Sequence, residues 1–174
     1  ALASARAEVI VPARDVAKAK AALAGLAGKI SVAAMDLGDL RNVAAFARDF
    51  SVGRKALHIL INNAGVMACP EARVGPGWEL QFATNHLGHF ALTATLLPLL
   101  RAANGARVVA LSSSGHKITD IRWDDIHFTK GPYEKWAAYG QSKTANALFA
   151  VGLDARERAN GIRAFAVHPG GIMT

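Results

Sequence analysis

Tyr139 and Lys143 stand at positions i and i+4 of the stretch AAYGQSKTANALF, Ala137 to Phe149. The stretch reads as a helix, on which that spacing stacks the two side chains on one face, an ammonium beside a phenol. A free tyrosine has a pKa of about 10 and is a poor base near neutrality; lowering it by roughly 3 units means favouring the phenolate by about 4 kcal/mol. A close lysine in a partly dry site supplies much of that. The pair is therefore suited to moving a proton. The same spacing also describes an accidental pair on a solvated helix side, so its meaning depends on what the rest of the chain places around it.

The elements that would do the placing alternate. AEVIVPAR is a short apolar run that reads as a buried strand stopping at Pro12 and Arg14, after which Asp15 is placed to cap a helix from Val16 to Ala27, ended by Gly28. A strand follows over Lys29 to Asp36. Gly38-Asp39 then opens a helix with Leu40, Val43, Ala44, Ala47 and Phe50 at helical spacing. ALHILINNAG, Ala56 to Gly65, is continuously apolar, as a strand buried on both faces should be. A loop rich in Gly and Pro, Val66 to Gly77, leads into a long helix from about Trp78 to Ala103, which Asn104-Gly105 breaks before a strand over Ala106 to Ser113. An irregular stretch, Ser114 to Trp136, precedes the Tyr/Lys helix; Asn160-Gly161 ends that helix, and Ile162 to Gly170 forms a last strand. Such alternation predicts an α/β fold with a parallel sheet and helices on both faces, which binds ligands outside the carboxyl ends of its strands. Arg14, Asp36, Asn62 to Gly65, Ser113 and His168 to Gly171 each follow an apolar run and are expected to meet at one edge, with Tyr139 facing it.

The totals fit one globular domain over 1–174, with 52% hydrophobic and 19% charged residues. The longest uncharged apolar run, Leu87 to Leu100, contains His89 and Pro98 and falls short of the roughly 20 residues a bilayer needs. Ala1 to Arg6 does not resemble a signal peptide. Cys69, the one cysteine, excludes an internal disulfide and fits a reducing, cytoplasmic compartment. The formal charge of +7 is spread out, with Arg6, Arg14, Lys18 and Lys20 its densest group; it suits steering of a phosphorylated small ligand, and no motif points to nucleic acid. His86, His89, His116 and His168 have neither an HExxH pattern nor a cysteine partner, so no metal is expected. Trp123, Tyr133 and Trp136 either wall an apolar pocket or simply pack, and Phe46, Phe50, Phe82 and Phe90 read as core.

In one order along the chain stand NNAG at Asn62 to Gly65, Asn85, the serines ending in Ser113, YGQSK at Tyr139 to Lys143, and HPGG at His168 to Gly171. Together they resemble the short-chain dehydrogenase/reductase family, NAD(P)-dependent oxidoreductases on a Rossmann-like, doubly wound fold. TNHLGHF at Thr84 to Phe90, SSSGH at Ser112 to His116, and SKTAN after the tyrosine look most like its retinol-dehydrogenase-like branch. The resemblance implies an enzyme interconverting an alcohol and a carbonyl, acting on a hydrophobic small molecule and compatible with a homo-oligomer when full length. By the same resemblance Tyr139 passes a proton to or from the substrate oxygen and Ser113 hydrogen-bonds that oxygen. Lys143 favours the phenolate and grips the nicotinamide ribose, while Asn85 holds a water that links the lysine to solvent. Ser113 is preferred over Ser112 and Ser114 because strand alternation points those two the other way. Arg14 takes the place where the family reads the adenosine ribose, and an arginine suits the 2′-phosphate of NADP(H); Asp15, a helix cap or a ribose ligand, keeps NAD(H) open. Asp36 and Leu37 match the adenine contact, Asn62, Ala64 and Gly65 the adenosine side, and Pro169, Gly170 and Ile172 to Thr174 the carboxamide contact, while Asn63 either joins them or ties neighbouring strands. The family's opening TGxxxGxG turn is absent, and Thr174 falls before its substrate-binding loop. These departures imply a fold incomplete at both ends, with poor stability and little cofactor affinity of its own. A non-catalytic nucleotide-sensing or interaction module on the same fold is the other reading of the chain.

Overall fold

The computed structural model describes residues 1–171, so Ile172 and Thr174 lie outside the described residues. The chain divides into two compact units, Ala1–Asp36 and Leu37–Thr174. In the first, β1 (Val9–Ala13) runs parallel to β2 (Ile30–Ala34), joined by α1 (Val16–Leu23). Asp15 caps α1, its Oδ1 accepting the Lys18 N–H at 2.9 Å. The strand passes through Pro12 rather than stopping there. Val9 donates to the Lys29 carbonyl and the Ala13 carbonyl accepts from Met35, so odd positions face β2 and the missing N–H of Pro12 points away from it.

The second unit opens with α2 (Leu40–Ser51), capped by Asp39, whose Oδ1 accepts from Arg41 at 2.9 Å. Next come β3 (Ile59–Asn62) and a small antiparallel hairpin of β4 (Arg73–Val74) and β5 (Trp78–Glu79). The helix expected from Trp78 begins instead at Leu80. Glu79 stays extended and its carboxylate caps the helix, accepting from Gln81 at 2.8 Å and Phe82 at 2.7 Å. From there α3 (Leu80–Phe82), a π-helical turn (Ala83–Leu87) and α4 (Gly88–Ala102) follow one another. The remaining elements are β6 (Arg107–Leu111), a 3-10 turn (Ser114–Lys117), α5 (Lys135–Glu157) and β7 (Arg163–Val167). Glu134 caps α5, and Gly161, with φ of 80°, terminates the following turn in the left-handed region.

β3, β6 and β7 pair in parallel in that order, with Ile61, Val109 and Phe165 in one row. Parallel strands joined through helices bear out the α/β expectation. One face of this sheet is core: Val108, Ala110 and Ala164 pack with Leu100 of α4, Ala150 of α5 and Ile162. The other face is open, since Ile61 is 44% and Phe165 is 42% exposed. Burial of β3 on both faces is therefore corrected: Leu60 packs against the core while Ile59 and Ile61 alternate away from it. Phe82 is buried as expected, whereas Phe90 lies on the outer side of α4 with 52% exposure. Among the described residues no helix is long and apolar enough to cross a membrane.

Candidate active site

Tyr139 and Lys143 lie in the second and third turns of α5, both buried, with Lys143 Nζ 5.6 Å from the phenol ring centroid. Lys143 Nζ also donates to the Leu111 carbonyl, at the end of β6, over 3.1 Å. Burial holds the ammonium pKa below its ordinary value. The ring of Tyr139 rests on the 3-10 turn after β6, and Gly115 permits that approach. A Cβ on Gly115 would lie 2.7 Å from Tyr139 Cε1 and 3.5 Å from Ser113 Oγ, so the serine and the phenol share one small space.

The neighbouring serines have different partners. Ser112 is buried and donates to the Lys143 carbonyl at 2.8 Å, fastening β6 to α5. Ser113, half-buried, accepts the Gly115 N–H at 3.1 Å and leaves its own hydroxyl hydrogen free to donate. Asn85 sits in the π turn, fully buried. Its Oδ1 accepts from Val66 N–H at 2.8 Å, and its Nδ2 donates to the Val66 carbonyl at 2.9 Å and to Ser142 Oγ at 3.0 Å. The side chain is thereby committed to joining the loop after β3, the π turn and α5.

Residues expected to meet a dinucleotide stand as follows. A Cβ on Gly65 would come 3.0 Å from Asn85 Oδ1 and 3.5 Å from Lys143 Nζ, so the glycine keeps open a space bordered by the lysine. Asn62 is buried; its Nδ2 donates to Thr93 Oγ1 at 3.0 Å, and its Oδ1 has no partner among the described residues. Asn62 thus ties β3 to α4, while Asn63 and Ala64 are exposed. Open space beside a cation and an orphaned acceptor at a strand end fit a polar ligand such as a nucleotide. Leu37 is buried against Gly88. Pro169 and Gly170 are exposed after β7. Arg14 and Asp36 belong to the first unit, Arg14 exposed just after β1 and Asp36 half-buried after β2.

Asn85 and His89 belong to a column of polar residues at four-residue spacing, with Gln81 and Thr93, which sequence reading did not join as a unit; all four are buried. Gln81 Oε1 accepts from Ala68 at 2.9 Å, and its Nε2 donates to Tyr133 Oη at 2.8 Å and the Lys135 carbonyl at 2.9 Å. Tyr133 therefore packs inward, and burial pushes its pKa up to about 12. Trp136 instead is exposed and sets its ring edge-on to Tyr139, centroids 6.3 Å apart. The signal was present as polar side chains recurring every fourth residue of an apolar helix, which marks a buried network.

The chain is similar to known proteins in sequence and in fold. The family described as short chain dehydrogenase matches residues 1–125. The chain is 48% identical over 180 residues to a Streptomyces lividans protein named "Probable oxidoreductase", covering 100% of this chain and 59% of that protein. It is 43% identical to mouse retinol dehydrogenase 12, covering 97% of this chain and 54% of the relative. The chain thus spans little more than half the length of these curated relatives. An uncharacterised protein from Mycobacterium paratuberculosis superposes with a TM-score of 0.89 at 44% identity, covering 99% of this chain and 62% of the other. A metagenomic short-chain oxidoreductase solved with NADP gives a TM-score of 0.74 at 27% identity, covering 98% and 74%. The fold is the Rossmann-like one shared by these structures, and the likeness to retinol dehydrogenases bears out the branch suggested by the motifs.

Proposed function

From its membership of the short-chain dehydrogenase family, to which this chain belongs, we propose that it carries the proton-transfer site of an NADP(H)-dependent oxidoreductase interconverting an alcohol and a carbonyl. The observation that carries the reading is the shared space of Tyr139 and Ser113 Oγ at Gly115, with Lys143 on the same helix face. In the reductive direction the Tyr139 hydroxyl gives its proton to the substrate oxygen, and in the oxidative direction the phenolate takes it back. Ser113 donates its free hydroxyl hydrogen to that oxygen and fixes it beside the phenol. Lys143 has three N–H groups; one is held by Leu111, and the others are available to the phenolate and to the nicotinamide ribose. Since the Asn85 side chain is fully engaged, its main-chain carbonyl is the group left to hold a water that returns protons to the lysine.

Gly65, Asn62, Ala64, Leu37, Asp36, Pro169 and Gly170 would line the dinucleotide. When bound, that dinucleotide supplies or accepts the hydride. Preference for NADP(H) is supported by Arg14, a cation suited to a 2′-phosphate, and by the use of Asp15 as a helix cap, which occupies the carboxylate that would favour NAD(H). An NADP complex of a similar oxidoreductase supports it too. A hydrophobic substrate is supported by Trp136, exposed at the edge of Tyr139, and by the relatives named retinol dehydrogenase. A cytoplasmic setting, in keeping with the free thiol of Cys69, completes the reading. The test is turnover of a panel of hydrophobic alcohols and ketones with NADP(H) and NAD(H) by the protein bearing this sequence. Tyr139→Phe is expected to lower kcat by at least about 100-fold without changing cofactor affinity. Unchanged turnover in that variant would remove Tyr139 from the proton transfer, and absence of turnover with every alcohol and ketone would leave the non-catalytic module as the better reading.

A further inference from the structure

His89 is buried on the first turn of α4, and nothing in the mechanism above uses it. Its Nδ1 lies 2.9 Å from the Asn85 carbonyl. A carbonyl only accepts, so Nδ1 carries the proton and the ring is the neutral Nδ1–H tautomer. Burial favours this form and holds the imidazole pKa down to about 4, with the charges of Lys143 and His86 acting the same way. The contact continues in both directions. The His89 carbonyl accepts from Thr93 Oγ1 at 2.8 Å, and Thr93 Oγ1 accepts from Asn62 Nδ2 at 3.0 Å. Beyond Asn85, its Nδ2 donates to Ser142 Oγ, which donates to the Tyr139 carbonyl at 2.7 Å. An unbroken set of buried hydrogen bonds therefore runs from the end of β3, through the π turn, to the helix bearing Tyr139 and Lys143. Single π turns within α-helices recur at functional sites, and this one presents its Asn85 carbonyl to one side-chain donor.

We propose that His89 is a positioning residue for proton transfer at Tyr139 and Lys143: its Nδ1–H, held on the Asn85 carbonyl, fixes the orientation of the group that returns protons to the lysine. The inference rests on the oxidoreductase reading. A carbonyl offers two lone pairs, and a donor on one leaves the other aimed in a single direction. Without the imidazole, the lone pair it occupied is free to take the water in a second position, and the misplaced water slows proton return while leaving substrate and dinucleotide contacts intact.

Three variants test this in the protein bearing this sequence. His89→Phe keeps the ring volume and removes the donor, and His89→Asn puts an amide N–H near the place of Nδ1. Thr93→Val removes the hydroxyl that joins Asn62 to the His89 carbonyl and leaves the His89 ring unchanged. His89→Phe is expected to lower kcat by about tenfold or more, with KM for substrate and dinucleotide within about twofold and the acid limb of the pH profile displaced. His89→Asn is expected to recover most of the loss, and Thr93→Val to show a smaller loss in the same direction. The titration of Lys143, followed by 13Cε chemical shift without dinucleotide, is expected to move in His89→Phe and to return towards the wild-type value in His89→Asn. If His89→Phe fails to fold, kcat and the Lys143 titration in Thr93→Val decide, and wild-type values for both overturn the proposal. A folded His89→Phe protein with wild-type kcat, pH profile and lysine titration overturns it as well. So does an Asn variant no better than the Phe variant. If Tyr139→Phe abolishes turnover while His89→Phe changes nothing, this inference alone falls. Turnover unaffected by Tyr139→Phe removes the Tyr139 proton-transfer reading instead.

Discussion

Ser112 and Ser113 are adjacent in the chain and serve different neighbours. That the two side chains part company was legible, because alternation along a strand sends successive side chains to opposite sides; the Lys143 carbonyl that receives Ser112 was not, because it comes from a segment 31 positions away. The prediction separates the two hydroxyls. Ser113→Ala is expected to lower kcat by about 10- to 100-fold with unchanged unfolding, whereas Ser112→Ala is expected to cost about 1 kcal/mol of stability by removing the buried hydroxyl that fastens β6 to α5. Urea unfolding and steady-state kinetics on both variants measure this, and equal effects would mean that the assignment is wrong. His89 adds a pH dependence at the same scale. Its folded pKa of about 4 lies below the ordinary 6.5, so on acidification the unfolded chain takes up the proton first. Stability contributed by the neutral ring is complete above pH about 6.5 and is lost as pH falls towards 4, by roughly 3 kcal/mol. His86, also lowered by burial, acts in the same direction. Unfolding midpoints measured from pH 7 to 4.5 should fall less steeply in His89→Asn than in wild type; parallel slopes would exclude the assignment.

At the scale of elements, the order of strands and helices followed from apolar runs, caps and glycines. The junction before α4 did not. Trp78 and Glu79 continue the apolar spacing of the following helix, yet β5 pairs with β4 across a turn in which Gly75 and Gly77 have positive φ of 54° and 106°. The carboxylate of Glu79 then starts the helix at Leu80, and burial raises its pKa. Helical periodicity cannot register such a switch, because a residue that caps and a residue inside the first turn occupy the same sequence pattern. Gln81 locks the junction through bonds to Ala68, Tyr133 and Lys135, all from outside its own helix. Gln81→Leu preserves helix propensity and volume but leaves the Ala68 N–H unpaired and removes the amide's bonds to Tyr133 and the Lys135 carbonyl. It is expected to destabilise the chain by about 2–4 kcal/mol, and urea denaturation is the check. A loss under about 1 kcal/mol would show that water replaces the amide and that the junction is looser than its bonds imply.

For the molecule as a whole, a continuously apolar strand did not reveal that only one of its faces is covered. Hydrophobicity reports what a side chain favours, while coverage depends on which elements are at hand to pack against it. In the second unit the two faces of the sheet can be compared directly. Ile162 is fully buried with Leu100, Val108 and Ala150, whereas Phe165, three residues on, and Ile61 in the same row are more than 40% exposed. Ile162→Ala removes buried volume from a closed core and is expected to cost about 2–5 kcal/mol. Phe165→Thr, at a strand position that tolerates threonine, is expected to change stability of the 174-residue chain by no more than about 0.5 kcal/mol. The exposed apolar rows should also bind a hydrophobic dye, and Phe165→Thr combined with Ile61→Thr should reduce that fluorescence and any self-association seen by light scattering. Denaturation of the single variants decides between two pictures of this face. If Phe165→Thr costs as much as Ile162→Ala, the face is covered in solution and the open sheet described above is wrong; if only Ile162→Ala is costly, the stability of this chain resides in the face that α4 and α5 cover, the face from which Lys143 reaches the end of β6.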